Sequence, residues 1–466
     1  MQPNGVFSRE QRWQKGKELS VKIPWKSHSK WKRPSNLQDP LLLIQEQDKG
    51  RLPFLLPIKY GRMAASPFAY LRGSAAVMAA DLTSTPVTGI KTMLCGDAHL
   101  YNFGVFASPE RKLIFDINDF DECYPGPWEW DLKRLATSAV IAGKENGFKP
   151  EDNRELAKYV AKKYRKAITT FASMLTLDVW YSYVDAEKLL KAFHNSKKES
   201  KILKKTIKKA RTRTEEQSLE KYTEIVDGQR QFVNNPPLMV RLTDVPESNT
   251  LSEKVQVLRN DLERAWLEYV SSVEVDRREL LGRYHLVDTA LRVVGVGSVG
   301  TRCFVALLEA NSTDDEIVLQ QKEAGPSVLE PYLTQQEFVN HADRVVMGQR
   351  LMQSASDIFL GWSRGFAFSG HDYYWRQLRD MKGSVDVSLL GVKGFKDYLA
   401  CCSYCLALGH ARSGDVAGIS GYLDGGKLFD EAIANFSVSY AGQVEHDYHA
   451  LVEAIKAGFI VAQKGV

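Results

Sequence analysis

Apolar positions along this chain follow two spacings, and the switch between them marks out the elements. Over 131–142 and 151–175 the pattern is helical, with an apolar stripe set against polar positions. Shorter apolar runs at 103–106 and 113–115 read as strands, and the polar 108–112 between them as their turn. A helix is expected to start near Ser74, after a loop punctuated by Pro57, Gly61, Pro67 and Gly73. Asn234-Asn235-Pro236-Pro237 breaks the helical pattern ahead of a strand-like run at 238–240. From Arg292 the spacing changes again. A strand enters Gly295-Val296-Gly297-Ser298-Val299-Gly300, strands follow at 303–308 and 317–322, and the last ends in Lys322. A helix at 336–353, strands at 357–362 and 372–378, and a helical tail from Phe395 complete the pattern, which is that of an α+β protein.

At 466 residues the chain is long enough for two or more packed lobes. Its 44% hydrophobic and 26% charged content is ordinary for a globular protein in water. No apolar run reaches membrane-spanning length and Met1 to Gly5 lacks a signal-peptide core, so no membrane span and a cytoplasmic location are expected. The net charge of +5 is too small to argue for nucleic acid as a partner. Six cysteines show no disulfide spacing, and Cys402 and Cys405 fit helix packing better than redox or zinc chemistry. Two basic stretches stand out. Trp13, Trp25 and Trp31 lie among Lys and Arg in an N-terminal arm, either stapling it to the surface or meeting an anionic partner. At 197–213 lysines surround a narrow stripe of Ile202, Leu203 and Ile207. That is a solvated basic face near an anionic substrate, or a contact for nucleic acid or membrane.

The chemistry is concentrated in Gly96-Asp97-Ala98-His99-Leu100-Tyr101-Asn102 and, one hairpin later, Asp119-Phe120-Asp121-Glu122. The hairpin should return Asp119 to the side of Asn102, bringing carboxylates and an amide to one point. One Asp can take a proton from an attacking hydroxyl while Asn and a second Asp hold a divalent ion against phosphate charge. Arg62 and Arg72, just upstream, are placed either to clamp a phosphate or acidic substrate or to pair with the acidic cluster.

This loop resembles the catalytic loop of the aminoglycoside and choline kinase branch of the protein-kinase-like fold, and Asp119-Phe120-Asp121 stands where that branch has its metal-binding Asp. Trp130-Asp131-Leu132-Lys133-Arg134 resembles the following helix, whose buried Asp braces the loop; here Asp131 would do so, with Cys95 where a His often stands. From about Leu52 onward the chain also resembles an uncharacterised bacterial domain family grouped with kinase-like folds. The resemblance implies Asp97 as base, Asn102 and Asp119 as magnesium ligands, and Lys322 as phosphate clamp. It implies Gly295, Gly297, Ser298 and Gly300 as the phosphate cover, with His99 and Asp121 nearby. Glu330 or Glu337 would hold Lys322, and 379–383 would be the hinge that offers its backbone to adenine. Because the Gly-rich segment follows the catalytic loop, the implied fold is circularly permuted. It would have an arm at 1–51, a large lobe from 52–285 completed by 384–466, and a small antiparallel-sheet lobe at 286–383. The expected activity is transfer of the γ-phosphate of ATP, with Mg2+, to a hydroxyl of a small molecule or protein. Nucleotidyl (AMP) transfer, or nucleotide binding without turnover, are the alternatives.

Overall fold

The computed structural model describes residues 7–192, 197–213, 215–242, 264–293, 297, 299–312, 315–365, 370–378, 380–463 and 465. The architecture is mixed α+β with small antiparallel sheets. Four long helices, Trp128–Glu145, Pro150–Ser173, Val392–Ser413 and Lys427–Lys456, pack on one another. Their shared core runs from Ile44 to Ile460 in sequence, so residues from both ends of the chain complete it. At its centre Trp128 stacks on Tyr164, ring centroids 5.5 Å apart and planes 3° from parallel.

The N-terminal segment is helical over Arg9–Lys22 and Pro40–Asp48, where an extended arm was expected. A capping box at Ser8 and Gln11 starts the first helix. The expected stapling tryptophans lie against the C-terminal helices. Trp25 Nε1 donates to the Tyr422 carbonyl (2.9 Å), and Trp31 packs on Tyr440 while donating to Ser84 Oγ (2.9 Å).

A six-stranded antiparallel sheet forms the other layer. Its spatial order is Gly361–Ser363, Asp372–Gln377, Glu316–Ala324, Cys303–Glu309, His285–Arg292 and Met239–Arg241. Alternation along Cys303–Glu309 sends Ala306 and Leu308 to one face, with Leu319 and Trp375, and Val305 and Leu307 to the other, with Val318 and Ala290. Both faces are therefore covered, which is why these strands read as continuous apolar runs. A strand follows Gly300, as its neighbours' composition implied, and not a helix.

Two boundaries differ from expectation for local reasons. The helix expected from 336 is His341–Met352, because Asn340 accepts from Asp343 N (2.7 Å) and caps it there. The strand expected over 357–362 is only Gly361–Ser363. Asp357 instead accepts from Phe359 N (2.9 Å) and Gln377 N (2.7 Å), holding its neighbours in a turn. Among the described residues no helix is long and apolar enough to cross a membrane.

Candidate functional site

Two loops are pinned together by strand pairing at both of their ends. The strand Lys91–Leu94 leads into the loop 95–102 and pairs antiparallel with Tyr124–Pro127, which leaves the loop 118–123, so Leu94 sits opposite Tyr124. The hairpin Phe103–Ala107 with Leu113–Ile117 closes the other end, Phe103 opposite Ile117. Asn118 N then donates to the Asn102 carbonyl at 2.8 Å. The chain is tight here. Gly96 has φ +79°, and a Cβ on it would lie 2.2 Å from the Glu122 carbonyl oxygen, so only glycine fits.

The helix Trp128–Glu145 positions the first loop with two residues one turn apart. Asp131, 1% exposed, accepts from Cys95 N (2.8 Å) and Gly96 N (3.1 Å). Its Oδ2 also lies 3.3 Å from His410 Nε2, whose Nδ1 meets Tyr164 Oη at 2.7 Å. Arg134 is the loop's second anchor, and sequence reasoning missed it. Its Nε donates to Asp97 Oδ1 and its Nη2 to the Leu71 carbonyl at 2.9 Å. The signal was present in the i, i+3 spacing of Asp131 and Arg134, which puts both on one helix face. His99 Nε2 lies 3.5 Å from Asp97 Oδ2. Burial pushes the His99 imidazole down to about 4, so it is neutral near pH 7. Asn102 Nδ2 donates to the Asp97 carbonyl (2.6 Å), leaving its Oδ1 as the atom to offer a ligand.

The second loop carries the acidic cluster to the six-stranded sheet. Lys322, 5% exposed at its side chain, makes an ion pair with Asp121 across 201 residues of sequence. Tyr374, directly opposite Lys322 in the sheet, donates from its Oη to the other Asp121 oxygen at 2.7 Å. The carboxylate that holds Lys322 is thus Asp121, and the expectation of Glu330 or Glu337 is corrected. Glu330 faces Arg344 (3.5 Å) and His341 (3.7 Å), while Glu337 is exposed in the segment before the helix. The helix His341–Met352 presents a cation here. Arg344, 0% exposed, donates to the carbonyls of Asp121 (2.9 Å), Cys123 (2.6 Å) and Gly325 (2.8 Å), fixing the acidic loop by its backbone.

Asp119 and Asp121 titrate as neighbours in opposite directions. Burial and the Asp121 charge raise Asp119, with Lys322 and Arg376 opposing. Asp121 is lowered despite its burial, because Lys322 and Tyr374 stabilise its charge. Arg376 and Lys382 add positive charge and were not anticipated. Arg376 Nη1 donates to the Asn118 carbonyl (3.4 Å), and burial with the Arg376 charge pushes Lys382 down to about 7.

The described part of the glycine-rich turn is strapped to the segment before the first loop. Arg51 Nη1 donates to the carbonyls of Gly297 (2.7 Å) and Val299 (2.5 Å), and Leu52 N donates to that of Gly300 (2.7 Å). A Cβ on Gly297 would lie 3.2 Å from the Arg72 carbonyl oxygen, so the turn comes down over Arg72. Gly295, Ser298 and Arg379 lie outside the described residues. The expected hinge turns much of its backbone elsewhere: Gly383 exchanges both hydrogen bonds with Val105 (2.8 and 2.9 Å), Asp380 O accepts from Ala107 N, and Met381 N donates to Arg213 O. Those groups are not free for an adenine.

Among the described residues no three His, Cys, Asp or Glu side chains cluster closely enough to hold a metal alone. The Asp119 carboxylate and Asn102 Oδ1 are oxygens of the type magnesium takes, an ion that uses one or two protein oxygens and fills its shell with phosphate and water. A carboxylate raised by burial and a like charge gains from such a cation. The basic helix Lys197–Arg211 buries Leu203, Ile207 and Ala210 and exposes Lys201, Lys204, Lys205, Lys208 and Lys209. A separate groove of about 500 Å3, lined by Lys163, Lys166, Tyr183, Lys188, Cys401 and Tyr404 among others, contains none of the site residues.

Two loops joined at both ends, with a lysine from a distant sheet on their acidic cluster, define a built polar centre in an α+β protein. The chain belongs to the family described as uncharacterized protein conserved in bacteria, DUF2252, which matches residues 51–454. No curated protein and no solved structure matches it.

Proposed function

We propose that the protein is an ATP- and magnesium-dependent phosphotransferase built on a circularly permuted protein-kinase-like fold. The observation that carries this reading is the Lys322–Asp121 ion pair beside Asp119. It is supported by two motifs, each resembling one side of a kinase active site, that meet at this ion pair although the chain supplies them in reverse order. Supporting it, the helix Val392–Ser413 ends against the strand that enters the first loop, where Met93 N donates to Ser413 Oγ at 3.1 Å. That is where a kinase chain would run from helix to catalytic loop without a break.

In this reading the acceptor hydroxyl oxygen bonds to the γ-phosphorus as the bond to the β-phosphate oxygen breaks. ADP leaves, and the hydroxyl proton passes to Asp97. Arg134 fixes the orientation of the Asp97 carboxylate. Lys322 would meet the inner phosphates while its ammonium stays paired with Asp121, and the turn at Gly297 and Gly300 would cover them. Magnesium on Asn102 and Asp119 would neutralise phosphate charge. The test is thermal unfolding with Mg-ATP. Wild type should gain melting temperature, Asp119→Asn should lose most of the gain, and Asp97→Ala should keep it, since the base acts on the acceptor. An unmoved wild-type transition at saturating Mg-ATP refutes the nucleotide site, and equal loss in both variants refutes the assigned roles.

A further inference from the structure

The segment between the helices Pro150–Ser173 and Ala186–Ala192 carries large apolar side chains on its outside. Leu175, Leu177, Trp180, Tyr181 and Tyr183 are each between 42% and 72% exposed, and from Met174 to Asp185 only Val179 is buried. Single exposed apolar residues are ordinary, but five within nine residues of one segment form a patch. The backbone beneath them is fixed. Arg412 Nη2 donates to the carbonyls of Trp180 and of Ser182 (2.9 Å for the latter), and its guanidinium carbon lies 5.5 Å from the Trp180 ring centroid. The segment then runs into an edge strand on the hairpin that closes the two site loops, with Val184 opposite Phe115 and Asp185 opposite Ile114.

Cations flank the patch on its far side. The groove of about 500 Å3 opens beside it and shares Tyr183 with it, and Lys163, Lys166 and Lys188 line that groove together with the apolar Ala167 and Leu189. The helix Ala186–Ala192 packs on both the strand Leu113–Ile117 and the basic helix Lys197–Arg211, where Glu187 pairs with Arg211. Arg211 shares a helix face with Lys208, Lys204 and Lys201 at spacings of three and four residues, so a row of exposed lysines starts from the edge of the helix that follows the patch. Carboxylates are fewer here. Asp178 is exposed, Glu187 is taken by Arg211, and Asp185 accepts from Glu187 N (2.8 Å) and Lys188 N (3.1 Å) as a helix cap.

We propose that this face, the Leu175–Tyr183 patch with the lysine groove and the basic helix beside it, docks on the surface of an anionic lipid bilayer. Each side-chain type present has a place there. Exposed leucines enter the acyl boundary, Trp and Tyr rings sit at headgroup level with their polar edge in water, and lysines reach the lipid phosphates on long apolar stems. An acidic protein or a nucleic acid would engage the lysines but would leave Leu175 and Leu177 in water, whereas a bilayer takes up both. The docking is peripheral, since no described helix is long and apolar enough to cross a membrane.

The test is co-sedimentation of the full-length protein with vesicles of phosphatidylcholine alone and of phosphatidylcholine with phosphatidylglycerol, over a series of salt concentrations. Wild type should bind the anionic vesicles and leave the neutral ones largely unbound, and its binding should fall as salt screens the lysines. Lys204→Gln with Lys208→Gln should weaken binding about twentyfold, at about fivefold for each lysine near a charged bilayer. Leu177→Ser with Tyr181→Ser should weaken it at least about tenfold, because their apolar area no longer leaves water. Circular dichroism checks folding; should the apolar pair not fold, the lysine pair and the salt series carry the comparison. No binding of anionic vesicles by wild type, or equal binding by both variant pairs, overturns the docking face. Light scattering and titration with an oligonucleotide cover the other occupants. A dimer in solution that Leu177→Ser with Tyr181→Ser dissolves while vesicles are ignored, or an oligonucleotide bound where vesicles are not, also overturns it. No nucleotide enters these measurements, so the phosphotransferase reading stands or falls separately.

Discussion

Replacing Asp131 with Asn tests how the first loop is held without changing side-chain volume. The carboxylate accepts two backbone N–H bonds, from Cys95 and Gly96, inside a fully buried setting that also includes His410. An amide has one acceptor oxygen, so one of the two N–H groups is left facing an NH2 group. Losing one charge-assisted bond costs about 1.5–3 kcal/mol, and a stranded buried donor costs about 1–3 kcal/mol. These overlap, and relief from burying a charge offsets part of them, so the net loss should be about 2–4 kcal/mol. Tyr164→Phe, which removes only the outer bond to His410, should cost about 0.5–1.5 kcal/mol. Urea unfolding with the slope unchanged gives the loss, and hydrogen exchange at the Cys95 and Gly96 amides gives its location. A loss below about 1 kcal/mol with both amides still protected would refute the brace.

Two further outcomes follow from the second loop. Lys322→Met leaves Asp121 without its ion-pair partner and beside Asp119; with Asp121 25% exposed, the cost should fall just below that of breaking a fully buried pair, about 2–3 kcal/mol. Adding Asp121→Leu should recover most of that stability but not nucleotide binding, and no recovery in a double-mutant cycle would show that the pair is not coupled. Lys382, lowered to about 7 by burial and Arg376, should take up a proton when an anionic nucleotide binds and raises it again. The affinity it contributes is complete below pH 7 and declines as pH rises from 7 towards the bound-state value. Calorimetry in buffers of different ionisation enthalpy should show more proton uptake at pH 8 for wild type than for Lys382→Met, and equal uptake would remove Lys382 from the site.

Local patterns were the legible part of the sequence. The hairpin at 103–117, the helix carrying Asp131 and the run of strands from Arg292 are all written in short-range periodicity and turn residues. Asp131 was legible only through the resemblance of its helix to one that braces a kinase catalytic loop, and the left-handed Gly96 was not singled out. The partner of Lys322 was not. Sequence proximity pointed downstream to Glu330 and Glu337, whereas Asp121 reaches Lys322 through folding across 201 residues. The same holds for Arg344, whose three carbonyl acceptors belong to two separate segments, and for Gly383, whose pairing with Val105 no local pattern announces. The strand expected at 357–360 failed differently, since one Asp side chain capturing two backbone N–H groups outweighed the apolar run around it.

The central claim is γ-phosphoryl transfer, and ATP labelled in parallel at the γ- and α-phosphates tests it most directly. The full-length protein is incubated with magnesium and a panel of hydroxyl-bearing small molecules and proteins, and the products are separated by charge. The account predicts that the γ-label moves to an acceptor while the α-label stays in ADP, and that Asp97→Ala abolishes the transfer. Transfer of the α-label with release of pyrophosphate, or no movement of either label with Mg-ATP bound, would contradict it.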